Sequence, residues 1–334
     1  MPRISPVFLA LAAILTACAS EPREADESPE VTRENFATAE THRYFQEFTD
    51  QGAVNTFVHE KEQAVALDQQ TVIRSNIDMF YSHAIVDISE GATVTLPPSS
   101  GRFRLAQIID SNHYTTDVFY DEGTYELKSN SGADFVYVFM RTAADPTDPE
   151  DQDRAREVME GASITSIGGG TFHSDWDPDQ VVEMRREIIQ SATYTDSFGA
   201  FGDVDDIEDF DKFTFAAAAG WGGLPEAHAA YWPIEPALGD ACATMTIEEP
   251  PVDRYWSLTV YDEEGWLANV NPVRSSYNTE PNEDGSLTFN FGCGDEALNN
   301  LPITENWTFI LRMYGPREAI LDGTYKAVIP HLKD

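Results

Sequence analysis

Residues 74–82 carry the polar side chains with the clearest chemical potential. Arg74, Asn76 and Asp78 occupy alternate positions, and Tyr81 follows them in an otherwise apolar run. Alternate residues of an extended strand share one face, so a guanidinium, an amide and a carboxylate are expected in one row. Such a row could bind a polar ligand. It could equally tie the strand to its neighbours, since buried polar groups are usually hydrogen-bonded within the protein. Both roles stay open.

His113 is the second residue with possible acid–base chemistry. It lies in a turn-like segment beside Asp110, Asn112 and Asp117. A histidine near carboxylates can act as a general base, although a loop histidine is the simpler interpretation. The chain has no His-x-His or His-Glu-x-x-His spacing and no Gly-x-Ser-x-Gly motif, so we predict no metal and no cofactor. Asp78 and His113 are therefore the candidate catalytic residues if the protein is an enzyme, a question that the sequence leaves open.

The charge of the chain limits its partners. Lys and Arg number 21 against 58 Asp and Glu, which gives a formal net charge of −37. So acidic a surface repels nucleic acid and anionic lipid, and we expect neither as a partner.

The N-terminal segment has the pattern of an export signal. Arg3 precedes an apolar run, and small residues lead to Cys18 in the sequence Leu-Thr-Ala-Cys. This resembles the lipobox of bacterial lipoproteins, so residues 1–17 are predicted to be a signal peptide and Cys18 to be acylated. Residues 18–30, which are polar and acidic, are then a tether. The resemblance implies a bacterial envelope protein anchored by lipid, with Ala19 after the cysteine favouring the outer membrane and its periplasmic side.

The remaining chain divides into three parts by composition. Residues 31–142 and 239–334 contain short β-branched and aromatic runs separated by turn residues, which is typical of antiparallel sandwiches or barrels. Residues 143–238 contain helical patterns and are predicted to be a helical bridge. The fold class is therefore mainly β with helical insertions. Cys242 and Cys293 lie in or beside two strand-like runs, and could form a disulfide or remain separate buried thiols.

Two segments resemble known bacterial families. The first carries Arg74, Asn76, Asp78, Tyr81 and Ser82 on motif positions of the domain of unknown function 1254, with Met79 and Phe80 in place of its usual Thr-Leu. The C-terminal segment resembles the domain of unknown function 1214, which commonly follows it. Its matching positions are Trp256, Ser257, Tyr261, Asn271, Pro272, Asp284, Gly285, Arg312, Tyr314, Pro316, Asp322 and Gly323. The resemblance implies two antiparallel β-sandwich domains of jelly-roll character joined by a helical segment, but it implies no reaction.

The sequence thus favours an envelope lipoprotein that binds a small or carbohydrate-like ligand in a cleft between its domains. A hydrolase without a cofactor, using Asp78 or His113, is the alternative, and a structural envelope protein is a second one. The residues predicted to bind the ligand are Arg74, Asn76, Asp78, Tyr81, Arg312 and Tyr314.

Overall fold

A computed structural model describes residues 28–60, 67–68, 70, 74–194, 198–326 and 328–333. The predicted signal peptide, Cys18 and most of the predicted tether lie outside these residues. In chain order, the helices are α1 (Phe36–Asp50), α2 (Pro149–Glu160), α3 (Pro178–Ser191), α4 (Phe210–Gly220) and α5 (Glu318–Leu321). The strands are β1 (Val58–His59), β2 (Met79–Asp87), β3 (Ala92–Leu96), β4 (Arg104–Asp110), β5 (Thr115–Phe119), β6 (Gly123–Leu127), β7 (Phe135–Ala143), β8 (Ser163–Ser166), β9 (Ala229–Ile234), β10 (Ala243–Ile247), β11 (Val252–Tyr261), β12 (Val273–Ser275), β13 (Leu287–Phe291), β14 (Asn300–Leu301), β15 (Thr308–Pro316) and β16 (His331–Leu332).

The N-terminal region is a sandwich of two sheets. Five strands follow the order β1-β2-β7-β4-β5, and three follow the order β6-β3-β8. Because successive side chains of a strand alternate between faces, Phe80, Ala84 and Val86 of β2 point into the core between these sheets. Tyr81 and His83 then lie on the opposite face, which we call the outer face of this sheet. Most of β2 is buried on both sides, so the outer face is covered as well.

The C-terminal region repeats this arrangement. Its sheets have the orders β12-β11-β15-β9 and β14-β13-β10-β16. Trp256 and Leu258 pack in the core against Phe289 and Phe291. The alternate residues of β11 and β15 form the outer face of the first sheet, and this face lies towards the N-terminal region, because Tyr255 and Tyr314 pack with Met79 and Phe103. The mainly β, largely antiparallel fold class is confirmed.

Helices α1, α3 and α4 form a third layer with a shared apolar core that includes Phe36, Val181 and Phe213. Aspartates begin three of the helices, since Asp148, Asp177 and Asp209 each accept a backbone hydrogen bond at the N-terminus of α2, α3 and α4. Phe45 of α1 packs on Ile85, and therefore this layer covers part of the outer face of the five-stranded sheet.

The segment predicted as a helical bridge, residues 143–238, also contributes strands to both sandwiches. Its strand β8 pairs with β3 of the N-terminal region, and β9 pairs with β15 of the C-terminal region. Residues 163–166 and 229–234 of the predicted helical bridge are therefore strands rather than helix. An alanine-rich stretch at residues 216–219 lies in helix α4, but the chain returns to extended structure at Ala229.

A disulfide joins Cys242 and Cys293, whose Cα atoms are 4.6 Å apart. The pairing of β10 with β13 brings them together, since Ala243 lies opposite Phe291 in that ladder. The sequence left open a disulfide or two separate thiols, and the structure contains the disulfide.

Candidate functional site

The two outer faces meet at a junction rich in tyrosine and arginine. On the N-terminal sheet, Tyr81 of β2 lies directly opposite Arg141 of β7. On the C-terminal sheet, Tyr231 of β9 lies opposite Arg312 of β15. Both guanidinium groups lower the pKa of the Tyr231 phenol, although burial raises it more, so the four side chains form one cluster. We call this cluster and its neighbours the junction site.

The row predicted along a strand from Arg74 to Asp78 is not a strand. Strand β2 begins only at Met79, and Arg74 has a left-handed backbone with φ of 56°. The loop is attached to the C-terminal region by its backbone: the Arg74 nitrogen donates to the Gly265 carbonyl at 2.7 Å, and the Tyr261 hydroxyl donates to the Ser75 carbonyl at 2.8 Å. The Arg74 side chain lies near Glu235 instead, and one of its terminal nitrogens is 4.0 Å from the exposed Glu235 carboxylate.

Arg312 is the link between this loop and the second sheet. The residue is 4% exposed, and its guanidinium donates to the Arg74 carbonyl at 2.9 Å, to the Tyr261 hydroxyl at 2.7 Å and to the Thr259 hydroxyl at 3.0 Å. Burial opposes its charge, but the surrounding phenols and the Asp78 carboxyl outweigh burial and raise its pKa. Arg312 therefore remains a cation inside the junction.

Asp78 is completely buried and only partly satisfied. One carboxyl oxygen accepts from the Tyr255 hydroxyl at 2.8 Å, whereas the other has no hydrogen-bond partner among the described residues. Burial raises the pKa of Asp78, while Arg312, the Ser257 hydroxyl and Tyr255 act in the opposite direction. The Ser257 hydroxyl is itself buried without a well-formed hydrogen bond in the described chain. A buried carboxyl with a free oxygen can accept a proton or a ligand hydroxyl.

Asn76 joins the cluster through Tyr314. Its amide nitrogen donates to the Tyr314 hydroxyl at 3.3 Å. Tyr314 is buried, and its phenol lies near those of Tyr231 and Tyr81, which together with burial raise its pKa well above the ordinary value. The structure therefore brings the six predicted ligand residues to one junction, with Arg74 contributing its backbone rather than its side chain.

Tyr81 lies on the outer face of the N-terminal sheet, among the buried side chains of β2. Its ring is partly buried and stacks on Phe139 with centroids 5.3 Å apart. Burial raises its pKa to about 12, so the phenol keeps its proton. Its hydroxyl forms no hydrogen bond with any residue that the structure describes, which leaves a donor and an acceptor for a ligand.

Arg141 completes the site and was missed by the sequence reasoning. Its guanidinium lies 4.1 Å above the Phe139 ring and donates to the Gln107 side chain at 2.8 Å and to the Gly222 carbonyl at 2.9 Å. The available signal was an arginine inside an apolar strand, at residues 135–143. Tyr231 and Tyr255 were missed too, because nothing in the sequence shows which strands of different domains face each other.

A row of hydrogen-bonded side chains centred on His83 borders the same outer face. His83 hydrogen-bonds the Tyr137 hydroxyl through Nδ1 and the half-exposed Glu60 carboxylate through Nε2 at 3.1 Å. Phe48 and Phe139 stack on its ring. Both nitrogens are occupied, so this row positions the aromatic floor of the site and offers no free base.

His113 lies elsewhere, and the structure does not bring it to Asp78. It packs with Phe213 and Trp221, its Nε2 accepts from the Gly222 nitrogen at 3.1 Å, and Nδ1 has no partner in the described chain. Burial lowers its pKa to about 3, so its ring is neutral. Neither ring nitrogen hydrogen-bonds a carboxylate of the described chain, and the neighbouring Asp110 carboxylate instead accepts from the backbone nitrogens of Asn112 and Tyr114. This geometry gives the predicted His113–carboxylate pair no support.

Among the described residues, no group of three or more His, Cys, Asp or Glu side chains is placed to hold a metal ion. No helix in the described ranges is both long and apolar enough to cross a membrane.

Comparison with known proteins identifies two family regions. Residues 54–125 match a family described as a protein of unknown function, DUF1254, and residues 236–318 match a second such family, DUF1214. The tandem order predicted from the sequence motifs is therefore confirmed. A comparison with curated proteins found no match.

The fold also resembles solved structures. The crystal structure of the VPA0106 protein from Vibrio parahaemolyticus aligns with a TM-score of 0.68 at 17% identity, over 90% of this chain and 98% of that chain. A putative uncharacterized protein from Burkholderia cenocepacia aligns with a TM-score of 0.48 at 13% identity, over 92% and 90% of the two chains. The likeness to the Vibrio protein shows a shared fold.

Proposed function

We propose that the protein is an envelope lipoprotein that binds a small, carbohydrate-like ligand at the junction site. The observation that carries this proposal is the convergence of tyrosines and arginines from both sheets around Tyr81, whose hydroxyl has no partner in the described chain. Sugars present ring faces and many hydroxyl groups. Phe139 and Tyr81 supply aromatic surface, while phenols and guanidinium groups supply directional hydrogen bonds.

Each part of the site has a distinct role in this proposal. Tyr81 and Tyr231 hydrogen-bond ligand hydroxyls from opposite sides. Arg141, already fixed by Gln107 and Gly222, positions the Phe139 ring and keeps the site positive within an acidic protein. Arg312 binds the 74–78 loop to the C-terminal sheet. In this proposal it does not contact the ligand but fixes the position of the residues that do.

Asp78 supports a second candidate function, a hydrolase without a cofactor. The supporting observation is the buried carboxyl with one unpartnered oxygen, whose pKa is raised by burial. His113 has no part in this alternative, since it lies apart from Asp78. Turnover of a bound ligand would distinguish a hydrolase from a binding protein.

The test is a thermal-shift screen of residues 28–334, which include all the described elements. Glucose, N-acetylglucosamine and galacturonate serve as probes, with the Tyr81→Phe variant measured beside the wild type. Tyr81→Phe removes one oxygen that has no partner in the described chain, so the unliganded melting temperature should not change. The ligand-induced increase should fall, consistent with about a 3- to 10-fold weaker affinity for a lost hydrogen bond.

Tyr125→Phe is the matched control. Its hydroxyl donates to the Asp121 carbonyl at 3.1 Å, on a different sheet, so its response to sugars should equal that of the wild type. If no probe raises the melting temperature of the wild type, or if the Tyr81→Phe protein responds fully, the binding proposal fails. In that case the junction serves only to hold the envelope protein together.

A further inference from the structure

A cavity of about 760 Å³ lies beside β9, on the side of that strand away from β15. Its walls come from β9, from helix α5 and from the segments around residues 198 and 224. This volume is in the range of small-molecule sites. The apolar lining consists mainly of Leu224, Trp232, Ile234, Ile320, Leu321 and Tyr325.

Two aromatic rings form one wall of this cavity. Trp232 and Tyr325 stack with centroids 5.3 Å apart and an interplanar angle of 19°. Both are partly buried, and the neighbouring Leu321 is 43% exposed at the rim. The cavity thus offers apolar contact to a flat or aliphatic body.

Two acidic groups at the rim are already engaged by their own loops. The Glu226 carboxylate accepts from the Gly199 nitrogen at 3.1 Å. The Asp322 carboxylate accepts from the nitrogen and the hydroxyl of Thr324 at 2.8 and 2.7 Å, and these bonds lower its pKa, with a smaller contribution from Lys326.

Lys326 is the basic residue at the rim. Its ammonium forms no hydrogen bond and no ion pair with any residue that the structure describes. The Lys326 charge lowers the pKa of the Asp322 carboxyl, but no hydrogen bond joins the two groups in the described chain. Its charge suits an anionic head group, since the nearby carboxylates already accept hydrogen bonds from Gly199 and Thr324.

The edge of β9 disfavours a peptide as the occupant. Pro233 lies in this strand and has no backbone N–H, which weakens pairing with an added strand. A small molecule with an apolar body therefore fits the cavity better than an extended chain.

We propose that this cavity is a second ligand site, for a monocarboxylate with an apolar body, with Lys326 binding the carboxylate and Trp232, Tyr325 and Leu321 contacting the body. Tyr231 lines both this cavity and the junction site, but the residues proposed to bind the carboxylate and its apolar body are not junction residues, so the proposal does not depend on sugar binding at the junction.

Calorimetric titration of decanoate into residues 28–334 tests the proposal, with decanol as the uncharged probe. We expect saturable binding of one decanoate per chain. Lys326→Gln should weaken decanoate binding about 5- to 10-fold and leave decanol binding unchanged, because only the carboxylate contacts the ammonium. Leu321→Ser should weaken both probes, because it removes apolar contact.

Lys333→Gln is the matched control, because it removes one positive charge from the C-terminal segment but at a lysine outside the cavity lining that donates to the Asn290 side chain. It should bind decanoate as the wild type does. Equal weakening by both lysine variants would indicate only a general effect of charge and would overturn the proposal, as would the absence of saturable binding. Tyr81→Phe should bind decanoate normally, so failure here is distinguishable from failure at the junction site.

Discussion

Arg312 and Asp78 show how far residue types alone could locate the site. Both were selected from the sequence, and both lie in the junction, where Asp78 opposes the burial cost of the Arg312 charge. Their partners, Tyr255 and Thr259, were not predicted, because a hydrogen bond between distant strands leaves no local pattern. The residue types in the sequence therefore identified one partner of each hydrogen bond but not the other.

Arg312→Met should strongly destabilise the fold. The change leaves the Asp78 carboxyl buried without its cation and removes three hydrogen bonds, so the free energy of unfolding should fall by about 3–5 kcal/mol. Urea unfolding near pH 7.5 measures this loss. Asp78→Asn combined with Arg312→Met should cost less than the sum of the two single changes, because neither charge is left alone. Additive costs would show that the two charges do not interact.

His113 should make the protein sensitive to acid. Burial holds its folded pKa at about 3, below the ordinary value of 6.5, so the unfolded chain binds the proton more readily. Its contribution to stability is therefore complete above about pH 6.5 and is lost progressively as the pH falls towards about 3.

Urea unfolding at about pH 7.5 and pH 5 measures this contribution. His113→Asn, chosen because asparagine tolerates the left-handed backbone with φ of 75°, should lose less stability between the two pH values than the wild type. His331→Asn, at an exposed position, should behave as the wild type does. An unchanged pH dependence in His113→Asn would assign the acid sensitivity to other groups.

At the scale of elements, the sequence pattern predicted that strands are present better than it predicted the residues at which they begin and end. The mainly β class followed from short apolar runs between turn residues, and the helical patterns between residues 143 and 238 include α2 and α3, each of which begins at a proline preceded by an aspartate. The start of β2 was wrong because the left-handed Arg74 breaks the strand. Strand β9 was hidden in an alanine-rich stretch, where tertiary pairing with β15 prevails over helix propensity.

The disulfide should stabilise the C-terminal sandwich. It joins β10 to the end of β13 and closes a loop with a sequence separation of 51 residues. Loop-closure entropy for that length corresponds to roughly 4 kcal/mol. The double variant Cys242→Ala with Cys293→Ala should therefore unfold at lower urea than the oxidised wild type. Addition of reductant should lower the wild-type midpoint similarly and leave the variant unchanged, whereas equal midpoints for all forms would show that the bond adds no stability.

At the scale of the whole molecule, the order of the two family regions was predicted from motifs, but their contact was not. Motif residues occupy both outer faces, and the structure shows that these faces meet each other and that the N-terminal one also meets the helical layer. A sequence pattern predicts which face of a strand is buried. It does not predict which surface covers that face, because this depends on how whole sheets pack against each other.

Lipid attachment at Cys18 is our proposal for how the protein is held in the envelope. Cys18→Ser should abolish acylation, and the protein should then move from the membrane fraction to the soluble fraction after cell lysis, because membrane binding depends on the acyl chains. Fractionation with immunoblotting measures this, and Cys242→Ala with Cys293→Ala controls for the loss of cysteines elsewhere in the chain. A Cys18→Ser protein that still partitions with membranes would contradict the proposal.

The central claim is that both domains contribute to one binding site, and calorimetric titration of galacturonate, glucose and N-acetylglucosamine tests it most directly. The proteins to compare are the wild type, Tyr81→Phe, Tyr231→Phe and the double variant. We expect each single change to weaken the binding of the same sugar by about 3- to 10-fold, because each removes one hydroxyl from opposite faces of the junction. Two outcomes would contradict a site shared between the two domains. The first is that the wild type binds none of the three sugars, and the second is that the Tyr231→Phe protein binds as tightly as the wild type.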